Sequence, residues 1–251
     1  MSTAVLTNIR IVLVDTNHPG NIGGAARAMK NMGITQLHLV SPKQFPDPQA
    51  RARAASALDI LQQAVVHDSL ENAISGCGLV IGTSARERRI PWPLLDSRSA
   101  AEQVVAELFK EKACSGDAAQ PIAILFGRED RGLTNDELQR CNFHMTIPTD
   151  AYSSLNLAAA VQVFCYELRM AALSDYTVEV EWDKPPASND DLERYYEHLE
   201  NVLVDINFID PKAPRQTMTR LRRFYNRLRP DEMELAMLRG ILTYIERIIT
   251  K

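Results

Sequence analysis

Five short, almost wholly apolar runs mark the chain, at residues 8–14, 36–40, 79–85, 121–127 and 143–147. Runs of this length, several of them flanked by glycine or proline, read as β-strands. Two of them, IRIVLV and PIAILFG, carry apolar residues at both odd and even positions, the pattern of a strand covered by helices above and below. The segments between have helical spacing. Thr134 followed by Glu137 fits a capping box, as Asp68 with Glu71 does in a looser form. Strand alternating with helix predicts an α/β fold on a mostly parallel, Rossmann-like central sheet.

Residues 155–173, LNLAAAVQVFCYELRMAAL, are rich in alanine and leucine with few charges. This predicts a long helix buried on more than one side, in the core or at a subunit interface. The pattern breaks at residues 176–191, where Pro185 and Pro186 stand among acidic and small polar residues, and helical spacing resumes at 191–206 and 232–249 around a basic segment at 215–229. The expected organisation is an α/β domain over 1–173, a linker over 174–190 and a small helical extension over 191–251.

A chain of 251 residues buries a sizeable core without cross-links. The net charge of -4 argues against a uniformly basic nucleic-acid coat but leaves room for a local basic face. Cys77, Cys114, Cys141 and Cys165 are widely spaced, without a C-x-x-C pair, so neither a disulfide framework nor a metal site is expected. No run reaches the roughly 18 apolar residues of a membrane span and no signal-peptide pattern opens the chain, so a cytoplasmic protein without membrane attachment is expected.

Candidate chemistry lies in the turns. The first, HPGNIGGAARAMKNMG, puts Gly20, Asn21, Gly23 and Gly24 at the start of a helix that carries Arg27. Such a turn is a natural anion cradle, because glycine permits close backbone approach and the helix start offers free N–H groups. Its spacing is not G-x-G-x-x-G, and it lacks the lysine and hydroxyl of a P-loop; the chain also has no G-x-S-x-G or H-E-x-x-H. Common dinucleotide, nucleotide and hydrolase chemistries drop out. Further glycine- and hydroxyl-bearing ends follow at Gly82 to Arg86, at Phe126 to Leu133 and at Tyr152 to Ala158. In a parallel sheet, C-terminal strand ends converge on one edge, where ligands bind.

Three stretches, NIGGAARA from Asn21, LFGREDRGL from Leu125 and SSLNLA from Ser153, resemble the three ordered motifs of SPOUT methyltransferases. With the TSAR loop and the RRIPWP stretch, they resemble in particular the bacterial TrmJ family of tRNA (cytidine/uridine)-2′-O-methyltransferases acting at position 32 of the anticodon loop. The resemblance covers nearly the whole chain. It implies a trefoil-knotted α/β catalytic domain, a homodimer, S-adenosyl-L-methionine as methyl donor and tRNA, rather than DNA, as substrate. It also implies that Arg27 assists loss of the ribose proton, either directly or by holding the neighbouring phosphate and stabilising the alkoxide, while Asn21 orients the hydroxyl or that phosphate; an ordinary helix cap is the plainer reading of Asn21. Thr83, Ser84, Ala85, Gly127, Ile147, Ser153, Ser154 and Leu155 match the family's cofactor-contacting loops. Glu129 is either the partner of an arginine beside the pocket or a solvated charge.

For RNA contact, Arg86, Arg88 and Arg89 precede Trp92, and Arg220, Arg222, Arg223 and Arg227 surround Tyr225 in a stretch without an acidic residue. Phosphates need such charge and unstacked bases need such rings. A core-anchoring Trp92 and a merely solvated arginine face are the plainer alternatives. Two rival functions stay open: 2′-O-methylation of another tRNA or rRNA nucleotide, and a non-catalytic RNA-binding protein.

Overall fold

The computed structural model describes residues 3–84, 92–115, 120–151, 154–173 and 184–250. Seven strands, β1 (Ile9–Val14), β2 (Gln36–Val40), β3 (Val65–His67), β4 (Leu79–Thr83), β5 (Leu94–Asp96), β6 (Ile122–Phe126) and β7 (Phe143–Thr146), form one sheet in the order β3-β2-β1-β6-β4-β7-β5. Every pairing is parallel; Ile11, for example, lies opposite both Leu37 and Ile124. The five apolar runs are the five inner strands, each trimmed by at most two residues at its ends. The edge strands β3 and β5 were not expected. Each has three residues and at least one exposed apolar side chain, such as Val66 or Leu94, so neither shows the buried pattern that marks the others.

Helices α1 (Pro19–Met32), α2 (Pro48–Ala54), α3 (Leu58–Gln62), α4 (Leu70–Ile74), α5 (Ser97–Ser115) and α6 (Asn135–Leu138) connect the strands, and α7 (Leu157–Leu173) follows the last of them. Side chains alternate across the sheet. Ile9, Ile11, Leu13, Ile124 and Phe126 pack with α1, α2, α5 and α7, while Val12, Val14, Val80, Ala123 and Leu125 pack with α4, α6 and Cys141. The capping box at Thr134 and Glu137 is formed. The looser one is displaced: Ser69, not Asp68, caps α4, its hydroxyl accepting from the amide of Asn72 at 3.3 Å.

Helix α7 buries Leu157, Val161, Phe164, Cys165, Leu168 and Ala172 on one face and leaves Tyr166, Met170 and Leu173 about half exposed on the other. Beyond it, α8 (Asn189–Asp205), α9 (Thr217–Leu228) and α10 (Glu232–Ile249) enclose a small core around Tyr195, Tyr196 and Val202. The basic segment is thus itself mostly a helix, α9. Polar contacts bind this part to the sheet domain. The Asn189 amide donates to the carbonyl of Cys77 at 3.0 Å, the Asn226 amide to the carbonyls of Gln139 and Cys141 at 3.2 Å, and Arg229 pairs with the buried Glu107 at 2.8 Å. Among the described residues no helix is long and apolar enough to cross a membrane.

Candidate functional site

Strand order reverses about the middle of the sheet: the connections from β1 lead outward through β2 to β3, while β4, β7 and β5 lie on the other side of β6. Crevices beyond the carboxyl ends of strands at such a point are where open α/β sheets hold ligands. The segments following β4, β6 and β7 meet there around a cavity of about 250 Å³. Thr83 and Ser84 come from the end of β4, Phe126 from the end of β6 and residues 127–133 from the loop after it, Met145 and Ile147 from β7 and beyond, and Ser154, Leu155, Leu157 and Ala160 from the approach to α7 and its first turn. The Ser84 amide, donating to the carbonyl of Met145 at 2.8 Å, holds two of these segments together.

The β6 loop is rigidly built. Residues 128–132 fold back on themselves through two backbone hydrogen bonds between Arg128 and Gly132, of 3.3 and 2.9 Å. A Cβ on Gly127 would stand 2.2 Å from the carbonyl carbon of Gly132 and from the nitrogen of Leu133, so only glycine fits this crossing. The Arg128 guanidinium donates to both carboxylate oxygens of Glu137 at 3.0 Å and to Asp15 at 2.9 Å. The hydrogen bond from Lys43, joined by Arg128, outweighs burial and holds the Asp15 carboxyl below its ordinary pKa.

Beside the cavity the three motifs are joined through side chains. Glu129 Oε1 accepts from the Asn21 amide at 2.8 Å and the His18 N–H at 3.1 Å, and Oε2 accepts from the Asn17 N–H at 3.0 Å. Asn156 Nδ2 donates to Asn21 Oδ1 at 2.9 Å, and Asn156 Oδ1 takes the amides of Ala158 and Ala159 at the start of α7. Burial raises the Glu129 carboxyl, but the hydrogen bonds from Asn17, Asn21 and His18 outweigh it, so its pKa lies below the ordinary value. Among the described residues Glu129 pairs with no arginine; its partners are the N–H groups of Asn17, His18 and Asn21.

Of the residues matched to the cofactor loops, Thr83, Ser84, Gly127, Ile147, Ser154 and Leu155 all line the cavity; Ala85 and Ser153 lie outside the described residues. The apolar lining of Phe126, Met145, Leu157 and Ala160 was missed, because in sequence these residues are indistinguishable from core. Asn21 does not cap α1. His18 does, its Nδ1 accepting from the Gly20 amide at 3.1 Å, while the Asn21 amide bridges Glu129 and Asn156. Asn156 was also missed, though it stands inside the SSLNLA motif. Arg27 is exposed on α1, six residues beyond Asn21 and outside the cavity lining, with no hydrogen bond or ion pair among the described residues.

The residues expected to meet RNA divide. Arg86, Arg88 and Arg89 lie outside the described residues. Trp92 is an anchor, its Nε1–H donating to the carbonyl of Cys141 at 2.9 Å and its ring stacked on His144 at 5.2 Å. Arg222 turns inward, clamping both oxygens of Glu193 at 2.7 and 2.8 Å and lying 4.5 Å over the Tyr196 ring, so that guanidinium is a strut of the helical extension. Tyr225 packs edge-on against Tyr195 at 4.9 Å. Arg220 and Arg227 are exposed and Arg223 is half-buried.

Residues 8–166 match the SpoU rRNA methylase family, and residues 190–251 match the C-terminal domain of the tRNA methyltransferase TrmJ. The chain is 52% identical to the tRNA (cytidine/uridine/adenosine-2′-O-)-methyltransferase TrmJ of Pseudomonas aeruginosa, over 97% of this chain and 96% of that one. It is 50% identical to the tRNA (cytidine/uridine-2′-O-)-methyltransferase TrmJ of Cronobacter sakazakii, over 96% and 97% of the two chains. Among solved structures, TrmJ from Z. mobilis resembles it with a TM-score of 0.79 at 32% identity, covering 95% of this chain and 99% of that one. A probable methylase family protein from Haemophilus influenzae does so with a TM-score of 0.62 at 44% identity, covering 98% of each.

Proposed function

The chain belongs to the TrmJ family of SpoU methylases, and from that premise we propose that it transfers a methyl group from S-adenosyl-L-methionine to the ribose 2′-hydroxyl of the pyrimidine at position 32 of tRNA. The observation that carries the reading is the meeting of the three motifs at one cavity, linked by the Glu129–Asn21–Asn156 chain of hydrogen bonds. The relatives' names differ in the bases they include, and the position itself rests on the likeness of the TSAR and RRIPWP stretches.

The cavity suits the donor. Phe126, Met145, Ile147 and Leu157 offer apolar surface to an aromatic base, and Gly127 leaves the backbone bare where a Cβ would strike Gly132. The hydroxyls of Thr83 and Ser154 supply polar partners, and Glu129 and Asp130 share their wall with Arg128 and Arg131, Asp130 being paired with Arg131 at 3.5 Å. When bound, S-adenosyl-L-methionine supplies an electrophilic methyl group on a sulfonium.

The chain's own part is alignment and electrostatics. Glu129 is a poor base, because three N–H groups stabilise its charged form. Its work is structural: it fixes the turn before α1 and, through Asn21 and Asn156, the start of α7. Arg27 has no lone pair to receive a proton. Its role is to hold the phosphate next to the target ribose and to stabilise the oxyanion as the hydroxyl proton leaves to water, an effect worth about 3–4 kcal/mol when donors are prealigned. The exposed apolar face of α7, with Tyr166, Met170 and Leu173, supports a homodimer. The reading places the enzyme in the cytoplasm, where its tRNA substrate is. Mapping 2′-O-methyl groups by mass spectrometry in tRNA from cells lacking the protein tests it: the mark at position 32 disappears, and its persistence there sinks the proposed target.

A further inference from the structure

We infer that Arg53 of α2, with the Nε2–H of His18, binds a backbone phosphate of the RNA strand that leads to the target ribose. This rests on the reading of the site given above, but on residues outside its motifs.

Helices α1 and α2 cross in backbone contact: a Cβ on Gly23 would stand 2.0 Å from the carbonyl oxygen of Ala50 and 3.0 Å from the nitrogen of Ala54. The crossing lays the stem of Arg53 against the first turn of α1, where a Cβ on Gly20 would be 3.6 Å from Arg53 Cγ. The same Cβ would be 3.0 Å from the His18 ring. Two donor-bearing side chains thus approach Gly20, the residue before Asn21.

Both donors are available. His18 uses Nδ1 to accept the Gly20 amide at 3.1 Å, so the neutral ring carries its proton on Nε2, and the residue is exposed. Arg53 is exposed and has no hydrogen bond or ion pair among the described residues. The acids near it in sequence are engaged elsewhere, Asp47 capping α2 through the Gln49 amide at 2.7 Å and Asp59 pairing with Lys30 at 2.7 Å. By contrast, Arg10, Arg128, Arg140, Arg222 and Arg229 are all held by carbonyls or carboxylates. An unneutralised planar guanidinium whose stem runs along the turn that also carries a second N–H donor is suited to a phosphate. Gly20 and Arg27 are seven residues apart on one face of α1, about 10 Å along its axis. A strand lying along that face meets Arg53 and His18 at one end and Arg27 at the other.

The test uses the full chain and fluorescein-labelled unmodified tRNA, with binding followed by anisotropy from 50 to 200 mM salt and turnover measured alongside. Arg53→Ala binds about tenfold more weakly, as expected for one charge-assisted contact, and the slope of log affinity against log salt falls by about 0.7–0.9. Arg53→Lys restores the slope and most of the affinity. His18→Asn keeps a helix-capping oxygen but loses the Nε2 donor, and weakens binding less. The loss with Arg53→Ala appears in KM for tRNA rather than in kcat, with an unchanged melting temperature. Wild-type affinity and salt slope in Arg53→Ala, or a defect confined to kcat, overturns the inference. A chain that binds tRNA through Arg53 yet transfers no methyl group overturns the function instead.

Discussion

Replacing Glu129 with glutamine keeps the side chain's size and turns one acceptor oxygen into an N–H donor. Both oxygens are engaged, Oε1 by His18 and Asn21 and Oε2 by Asn17, so whichever way the amide sits, an N–H group faces another. Losing a hydrogen bond to a charged acceptor and leaving its donor unmatched costs about 1–3 kcal/mol. Because Asn17 and His18 are exposed and water can take over part of the loss, the lower half of that range, about 1–2 kcal/mol, applies. For a chain of this size each kcal/mol is worth about 2–4 °C, so Glu129→Gln lowers the melting temperature by about 2–8 °C at pH 7.5 in scanning calorimetry. The Glu129 pKa is lower folded than unfolded, so the carboxylate's stabilisation is full above the ordinary glutamate value and is lost as pH falls through the folded one. The gap between wild type and variant therefore narrows as pH drops below about 5. Turnover falls by up to about a hundredfold, since Asn21 and α7 lose their alignment. A variant that melts with the wild type at pH 7.5, or a gap that stays constant down to pH 4, refutes the reasoning.

Gly127→Ala forces a methyl group to within 2.2 Å of backbone; a loss of more than about 3 kcal/mol in urea unfolding, or no soluble protein, is expected. Arg229→Ala strands the Glu107 carboxylate, only 6% exposed, and lowers stability by about 3–5 kcal/mol, while limited proteolysis between the two parts of the chain accelerates. His38, stacked on His67 with their ring nitrogens 2.8 Å apart, has its pKa pushed down to about 4, first by burial and then by Arg10. Its ring resonances stay flat by NMR from pH 7.5 to about 5, and since the unfolded imidazole binds its proton near pH 6.5, stability declines as pH falls from there towards 4.

What the chain discloses without coordinates follows from how strongly each part is constrained locally. The inner strands are legible because both of their faces are buried, so nearly every residue must be apolar. The edge strands β3 and β5 escape because three half-exposed residues leave no period to read. Helix α9 hides because arginines dominate its composition, although Met218, Leu221 and Tyr225 pack inward at helical spacing. Six loop residues of the cavity are visible as glycine, hydroxyl or apolar positions at the ends of strands or at a helix start. The Glu129–Asn21–Asn156 chain is not visible, since hydrogen bonds between residues more than 100 positions apart depend on how three loops are brought together. Arg222 shows the same limit: in sequence it is one of a row of cations, and only the placement of Glu193 and Tyr196 turns it inward.

The central claim is tested most directly by incubating the purified chain, and Arg27→Ala beside it, with methyl-labelled S-adenosyl-L-methionine and unmodified tRNA, followed by nuclease digestion and mass mapping. The account predicts label on the 2′-oxygen of the position-32 pyrimidine, with a rate in Arg27→Ala reduced by about a hundredfold to a thousandfold. Label on a base, or an Arg27→Ala variant that turns over like the wild type, contradicts it.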